Sequence, residues 1–267
     1  MNASVDQMDN APVLLRDDND GITRLTLNRP AQYNALSGAM LDELQAALDA
    51  IDADDSVRVV ILAANGKAFC PGHDLKEMRA SEDPADHRAL FDKCSRMMLT
   101  IHRLRQPVIA EVQGIATAAG CQLVAMCDLA VVADEARFAV SGIKLGLFCS
   151  TPAVPLSRNL QRKQALHMLL TGDFISAQTA LQYGLVNEVV AAAELQTATQ
   201  ALAQQIVARS AHAITIGKEM FYRQLPMDIE DAYAYASERM ACNMDSHDAR
   251  EGIDAFIQKR KPEWKGK

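Results

Sequence analysis

Pro107-Val108-Ile109-Ala110-Glu111-Val112-Gln113-Gly114-Ile115-Ala116-Thr117-Ala118-Ala119-Gly120-Cys121-Gln122-Leu123 is the stretch on which the fold turns. Val108 to Val112 is a short apolar run of the kind that forms a buried strand. A turn of small residues follows, the segment from Cys121 to Met126 reads as helix, and Leu129 to Ala133 as strand again. Small residues where a strand gives way to a helix let ligand atoms approach the backbone amides closely. Amides at a helix N-terminus also carry the positive end of its dipole, which favours developing negative charge. Taken alone such a turn is a weak signal, because most tight strand-to-helix turns are only turns.

Upstream, the same pattern recurs. Val57-Arg58-Val59-Val60-Ile61-Leu62 reads as a buried strand broken at Asn65-Gly66, and a second turn, Phe69-Cys70-Pro71-Gly72-His73-Asp74-Leu75-Lys76, follows it. Ile22 to Leu27 reads as a strand stopped at Asn28-Arg29-Pro30. Leu41, Leu44, Leu48 and Ile51 recur at helical spacing with Ser37 as N-cap, and a further helix spans about Ala85 to Leu104. Strands alternating with helices predict a layered α/β domain. From about Ala191 the patterns are only helical: Leu195, Leu202 and Ile206 mark one helix, Ile229 to Met244 another, Ala249 to Arg260 a last one. The expected organisation is a disordered lead-in over 1–11, a core over 12–194 and a helical module over 195–267. That module could fold back on its own core or pack on a neighbouring subunit.

Composition narrows the class. The 267 residues are 49% hydrophobic and 23% charged, the balance of an ordinary globular protein, with length for a sizeable core. A net charge of −7 argues against nucleic acid as a partner but not against a phosphorylated small ligand. Cysteines at 70, 94, 121, 127, 149 and 242 form no C-x-x-C pair and no Cys/His group with metal-ligand spacing, so buried thiols are expected rather than metal or disulfides. The apolar runs fall short of the roughly 18–20 residues that span a bilayer. Met1 to Pro12 is acidic and polar, unlike a signal or transit peptide, so a cytoplasmic protein is expected. No G-x-G-x-x-G opens a helix after a strand, which excludes a Rossmann-type oxidoreductase.

Several motifs in register carry a resemblance. Asn28-Arg29-Pro30-(x3)-Asn34-Ala35-Leu36, the Phe69–Lys76 loop, Pro107-Val108-Ile109-Ala110 and Gly114-(x5)-Gly120-Cys121-Gln122-Leu123-(x3)-Cys127-Asp128 resemble the crotonase (enoyl-CoA hydratase/isomerase) superfamily in order and spacing. So do Leu170-Thr171-Gly172, Ser176-Ala177, Gly184-Leu185-Val186-Asn187 and Gly252, Phe256, Lys259-Arg260-Lys261-Pro262. Ala118-Ala119-Gly120-Cys121-Gln122 and Gly146-Leu147-Phe148-Cys149-Ser150-Thr151-Pro152 look closest to the branch called enoyl-CoA hydratase domain-containing protein 3. The resemblance implies a spiral of repeated ββα units, a C-terminal helical oligomerisation module, and a homotrimer or dimer of trimers. It implies an acyl-CoA substrate, with coenzyme A as part of that substrate and no separate cofactor, metal, nucleic acid or membrane partner. It implies an oxyanion hole of two backbone N–H groups, which map to His73 and Ala119. Arg29, Gly72, Asp74, Leu75, Lys76 and Gln122 map to substrate-binding positions, and Phe256 and Lys259 to residues contributed by an adjacent subunit. The side chain of His73 is open to two readings, a catalytic base or a wall of the pocket.

The sequence departs from the hydratase pattern at both proton-moving positions. Where hydratases of the family carry glutamates, this chain has Gln122 and Gly142. An amide is no carboxylate base and glycine has no side chain, while general acid–base groups contribute about 10²- to 10⁴-fold each. Hydration is therefore expected to be very slow, leaving other thioester chemistry or plain acyl-CoA binding. Restoring both glutamates is expected to raise it. Glu111 could substitute if burial raises its pKa, or pair with a cation in the scaffold, which is the preferred reading. Ser141, Cys149 and Ser150 lie near the second position without an evident base partner. Asp128 reads as structural, its carboxylate satisfying loop amides.

Overall fold

The structure, a computed structural model, describes residues 11–267; the expected lead-in thus lies, but for Ala11, outside the described residues. The strands are β1 (Leu14–Asn19), β2 (Ile22–Leu27), β3 (Val59–Ala64), β4 (Ala68–Cys70), β5 (Val108–Val112), β6 (Ile115–Thr117), β7 (Leu129–Ala133), β8 (Arg137–Ala139), β9 (Ile175–Ser176) and β10 (Glu188–Val190). The helices are α1 (Gly38–Asp52), α2 (Leu75–Ala80), α3 (Pro84–Arg103), α4 (Ala119–Met126), α5 (Ser150–Asn159), α6 (Arg162–Thr171), α7 (Ala177–Tyr183), α8 (Leu195–Val207), α9 (Ala211–Gln224), α10 (Ile229–Met244) and α11 (His247–Gln258).

Two sheets organise the chain, one in the order β1-β2-β3-β5-β7-β10 and a smaller one in the order β4-β6-β8-β9. After the antiparallel β1–β2 hairpin, the large sheet is parallel. Each turn of the spiral lays one strand in the large sheet, one in the small sheet and then a helix: β3-β4-α2, β5-β6-α4, β7-β8-α5. The repeated ββα units expected from the resemblance are present.

Period-two alternation assigns the two faces of the large sheet. Val60, Leu62, Val108, Ala110, Val112 and Val132 join the main core, while Val59, Ile61, Ile109, Val131 and Ala133 face Leu195 and Ala203 of α8. Burial on both faces is what a parallel sheet requires, and each large apolar side chain removed from water contributes about 1.5–3 kcal/mol. The first of the tail helices, α8, thus folds back on its own core.

Local signals behave as their chemistry dictates. Ser37 caps α1 by accepting from the Met40 N–H at 3.2 Å, and Asp83 caps α3 by accepting from Ala85 at 2.8 Å. β5, β7 and α10 occupy the expected residues, and β3 starts two residues later than expected. The short strands β4, β6, β8 and β9 are findings of the structure, since two or three residues carry too little alternation to stand out. Five of the six cysteines are buried and Cys242 is exposed. Burial pushes the Cys70, Cys94 and Cys121 thiols up to about 12.

Candidate functional site

The two turns singled out in the sequence meet. β4 ends at Cys70, and Pro71-Gly72-His73-Asp74 leads into α2. Gly72 has φ +101°, a conformation L side chains rarely adopt, and a Cβ there would lie 3.0 Å from Ala118 Cβ and 3.1 Å from Ala119 N. The turn is pinned to the strand-like Leu36: the Leu36 N–H donates to Gly72 O at 2.8 Å, and the Asp74 N–H donates to Leu36 O at 3.2 Å. The His73 N–H between them takes no part in that pairing. Asp74 then caps α2, accepting from the Lys76 N–H at 3.1 Å.

The second turn is strained in the same place. Ala118 has φ 51° and ψ −121°, a positive φ for a residue with a Cβ, and no side chain caps α4. Ala119 opens α4, so its N–H has no partner within the helix. Gly120 packs against β4 so closely that a Cβ would collide with the carbonyl oxygen of Cys70. These contacts hold the backbones of 72–73 and 118–119 side by side.

Around them lies a cavity of about 770 Å³, walled by His73, Asp74, Leu75, Lys76, Thr117, Ala118, Ala119, Ser141, Gly142, Phe91, Leu145, Leu147, Phe148 and Cys149. Its lining is mostly apolar. Leu75, Leu145, Leu147 and Phe148 are about half exposed and form a greasy rim, an arrangement typical of small-molecule sites. Within it, Thr117 Oγ1 and Ser141 Oγ share a hydrogen bond of 2.8 Å. The His73 ring stands edge-on to Phe91 with centroids 5.5 Å apart, and both its nitrogens are shielded from solvent without a hydrogen-bond partner. Burial lowers its pKa. The charge of Glu77 opposes that shift, as does the Leu36 carbonyl, which lies nearby but outside hydrogen-bond geometry. Burial raises the Cys149 pKa, with the Gly142 backbone opposing.

The residues picked from the sequence separate into groups. His73, Asp74, Leu75, Lys76 and Ala119 share the cavity, and Gly72 supports it from behind. Arg29 does not line it: the guanidinium donates to Ala35 O at 3.2 Å and pairs with Asp74 Oδ2 at 3.6 Å. Gln122 is buried on α4 outside the lining, with Oε1 unpartnered. Phe256 and Lys259 lie at the end of α11, outside this cavity within the chain, and Phe256 is 86% exposed. Phe91 and Leu145 were not singled out in the sequence, and Thr117, Leu147 and Phe148 stood there only as members of motifs, since lone apolar or hydroxyl residues signal nothing.

Three further expectations are corrected or decided by the geometry. Gly142 has no room for a side chain, because a Cβ there would lie 2.7 Å from Cys149 Sγ and 2.8 Å from Leu147 O. A glutamate at 142 therefore cannot simply be restored. Glu111 sits on the sheet face opposite the cavity core, accepting from the two terminal guanidinium nitrogens of Arg24 at 2.6 and 3.0 Å. It belongs to the scaffold. Asp128 does too, accepting from Val108 N–H at 2.7 Å, Lys218 Nζ at 2.6 Å and Tyr222 OH at 2.8 Å.

Comparison with known proteins agrees with this architecture. The family model described as enoyl-CoA hydratase/isomerase matches residues 17–267. A mouse relative, enoyl-CoA hydratase domain-containing protein 3, mitochondrial, is 46% identical over 245 residues, covering 92% of this chain and 82% of its own. Among solved structures, an enoyl-CoA hydratase from Mycobacterium smegmatis superposes with TM-score 0.94 at 57% identity, covering 95% of this chain and 99% of its own. The human enoyl coenzyme A hydratase domain-containing protein 3 superposes with TM-score 0.91 at 46% identity, covering 94% and 100%. The mouse, rat and human relatives and one from Dictyostelium discoideum are named mitochondrial, which overturns the cytoplasmic expectation. The polarity of a dozen residues was too little to assign a compartment.

Proposed function

The chain belongs to the enoyl-CoA hydratase/isomerase family, and from that premise we propose that the cavity binds an acyl-CoA thioester with its carbonyl oxygen between the N–H groups of His73 and Ala119. The observation that carries this reading is the positive-φ turn at Gly72 packed against the start of α4, which sets two unpaired amides side by side. Negative charge developing on the thioester oxygen in an enolate would meet both donors and the positive end of α4. One such donor is worth about 2.7–4 kcal/mol in the transition state. The apolar rim takes the acyl chain. Exposed Lys76 at the mouth meets coenzyme A phosphate, Leu75 packs on the ligand, and Asp74 holds α2 and Arg29 in place. Gln122 and Gly142 stand where hydratases of the family carry proton-moving glutamates, so an oxyanion hole without a hydration apparatus is the result. A non-catalytic acyl-CoA binder is the second reading, favoured by the crowding at Gly142.

Phe256 and Lys259 can reach a ligand only from another copy of the chain. Helices α9 to α11 expose Phe221, Leu225, Ile229, Tyr233, Phe256 and Ile257, each more than half exposed. This supports assembly as a trimer or dimer of trimers, for which light scattering at micromolar concentration is expected to give three or six times the 29.1 kDa chain mass. Calorimetry with short and long acyl-CoAs is expected to show binding; its absence at millimolar concentration would end the acyl-CoA reading.

A further inference from the structure

The cavity holds one imidazole, and neither of its ring nitrogens has a hydrogen-bond partner. Resting on the acyl-CoA reading above, we propose that the His73 imidazole removes a proton from the carbon α to the thioester, taking the part that a carboxylate plays in the hydratases. His73 lines the cavity, and its own amide is one of the two that would hold the thioester oxygen, so its side chain starts beside the reacting atoms. Both ring nitrogens lack a hydrogen-bond partner, and no other residue has two buried side-chain polar atoms in that condition among the described residues. An imidazole that stands edge-on to Phe91 and has no hydrogen-bond partner can turn a nitrogen into the cavity without breaking a hydrogen bond.

The neighbouring candidates are already engaged. Asp74 accepts from the Lys76 N–H and faces Arg29, Glu77 accepts from the Gly38 N–H at 2.7 Å, and Thr117 and Ser141 bond each other. Glu111 is on the other face of the sheet with Arg24. Burial lowers the ring's pKa and so favours the neutral form a base requires. In the step, the α-carbon–hydrogen bond breaks and its electron pair enters the enolate, whose oxygen lies between the His73 and Ala119 amides. The proton forms a new N–H bond on the ring, giving imidazolium. Reversal returns a proton to the carbon, and nothing is oxidised or reduced.

Exchange into deuterium oxide tests this directly. Full-length protein is incubated with butyryl-CoA, deuterium at the α-carbon is read by mass spectrometry, and butyryl-CoA binding is measured by calorimetry. Wild type is expected to exchange the α-protons. His73→Asn, which keeps the backbone amide, is expected to bind butyryl-CoA within about tenfold while exchange falls by about 10²-fold or more. Should His73→Asn not fold, His73→Gln carries the same comparison. Exchange by a binding-competent variant at near the wild-type rate overturns the proposal. Binding without exchange in the wild type also overturns it and leaves the acyl-CoA reading standing. No binding at all overturns both.

Discussion

The buried ions at the seam where α9 joins the core and the polar groups at the cavity are treated in opposite ways. At the seam, Lys218 Nζ donates to Ile101 O, Gln106 O and Asp128, and Asp128 accepts in turn from Tyr222 and the Val108 amide. Each of these groups has partners, as buried ions must. In and behind the cavity, both His73 nitrogens and Gln122 Oε1 have none. Leaving a buried polar atom unpartnered costs about 1–3 kcal/mol, so polar groups left idle beside an apolar cavity mark a place arranged for something other than stability. Satisfied ions hold the scaffold together, and the His73 ring nitrogens beside the cavity add no hydrogen bond to it.

The largest effect that would break this contrast is fast hydration. With neither glutamate, crotonyl-CoA hydration is expected to be about 10⁴-fold or more below that of a two-glutamate relative, followed by loss of enoyl-thioester absorbance. Gln122→Glu with Gly142→Glu is expected to leave it slow and to cost about 1–3 kcal/mol of stability by overpacking against Cys149 and the Leu147 carbonyl. A fast wild type would mean that a group outside this account orients the water.

Next in size is the seam. Lys218→Ala is expected to destabilise by about 3–5 kcal/mol in denaturant melts, because it strands the Asp128 carboxylate in a buried place. A loss under about 1 kcal/mol would show that the seam is as loosely satisfied as the cavity. The smallest expected effect is the sharpest contrast: Gln122→Leu removes a buried dipole that lacks a partner on its oxygen, and is expected to change stability by less than about 1 kcal/mol in either direction. A cost near that of Lys218→Ala would show that the Gln122 amide is structural.

Much of this was legible along the chain, for local reasons. β5 and β7 announce themselves as apolar runs, and Ser37 sits where a helix needs an acceptor for its free amides. The two turns could be found as small residues between strand and helix, and motif spacing aligned them with the family. β6, by contrast, hides in Ile115–Thr117, because three residues hold barely one period of alternation. The apolar rim was also invisible, since Leu145, Leu147 and Phe148 are exposed apolar residues that no periodicity explains.

The residue types alone determined that positions 122 and 142 carry no carboxylate, because no fold can give an amide or a hydrogen atom the basicity of a glutamate. Sequence likewise set the alternation that packs the large sheet on both faces, since side-chain direction in a strand follows from backbone geometry. Only the tertiary structure decided which acidic groups are available. Glu111 is open to two readings in one dimension and Asp128 reads as structural, and Arg24 and Lys218, 87 and 90 residues away along the chain, are the cations that hold them in the scaffold. The fate of Gly142 is also a matter of three dimensions: the Cys149 thiol and the Leu147 carbonyl fill the space a side chain would need. Short-range chemistry is written in neighbouring residues, but whether a charge is free or a cavity is open depends on contacts between segments far apart in the chain.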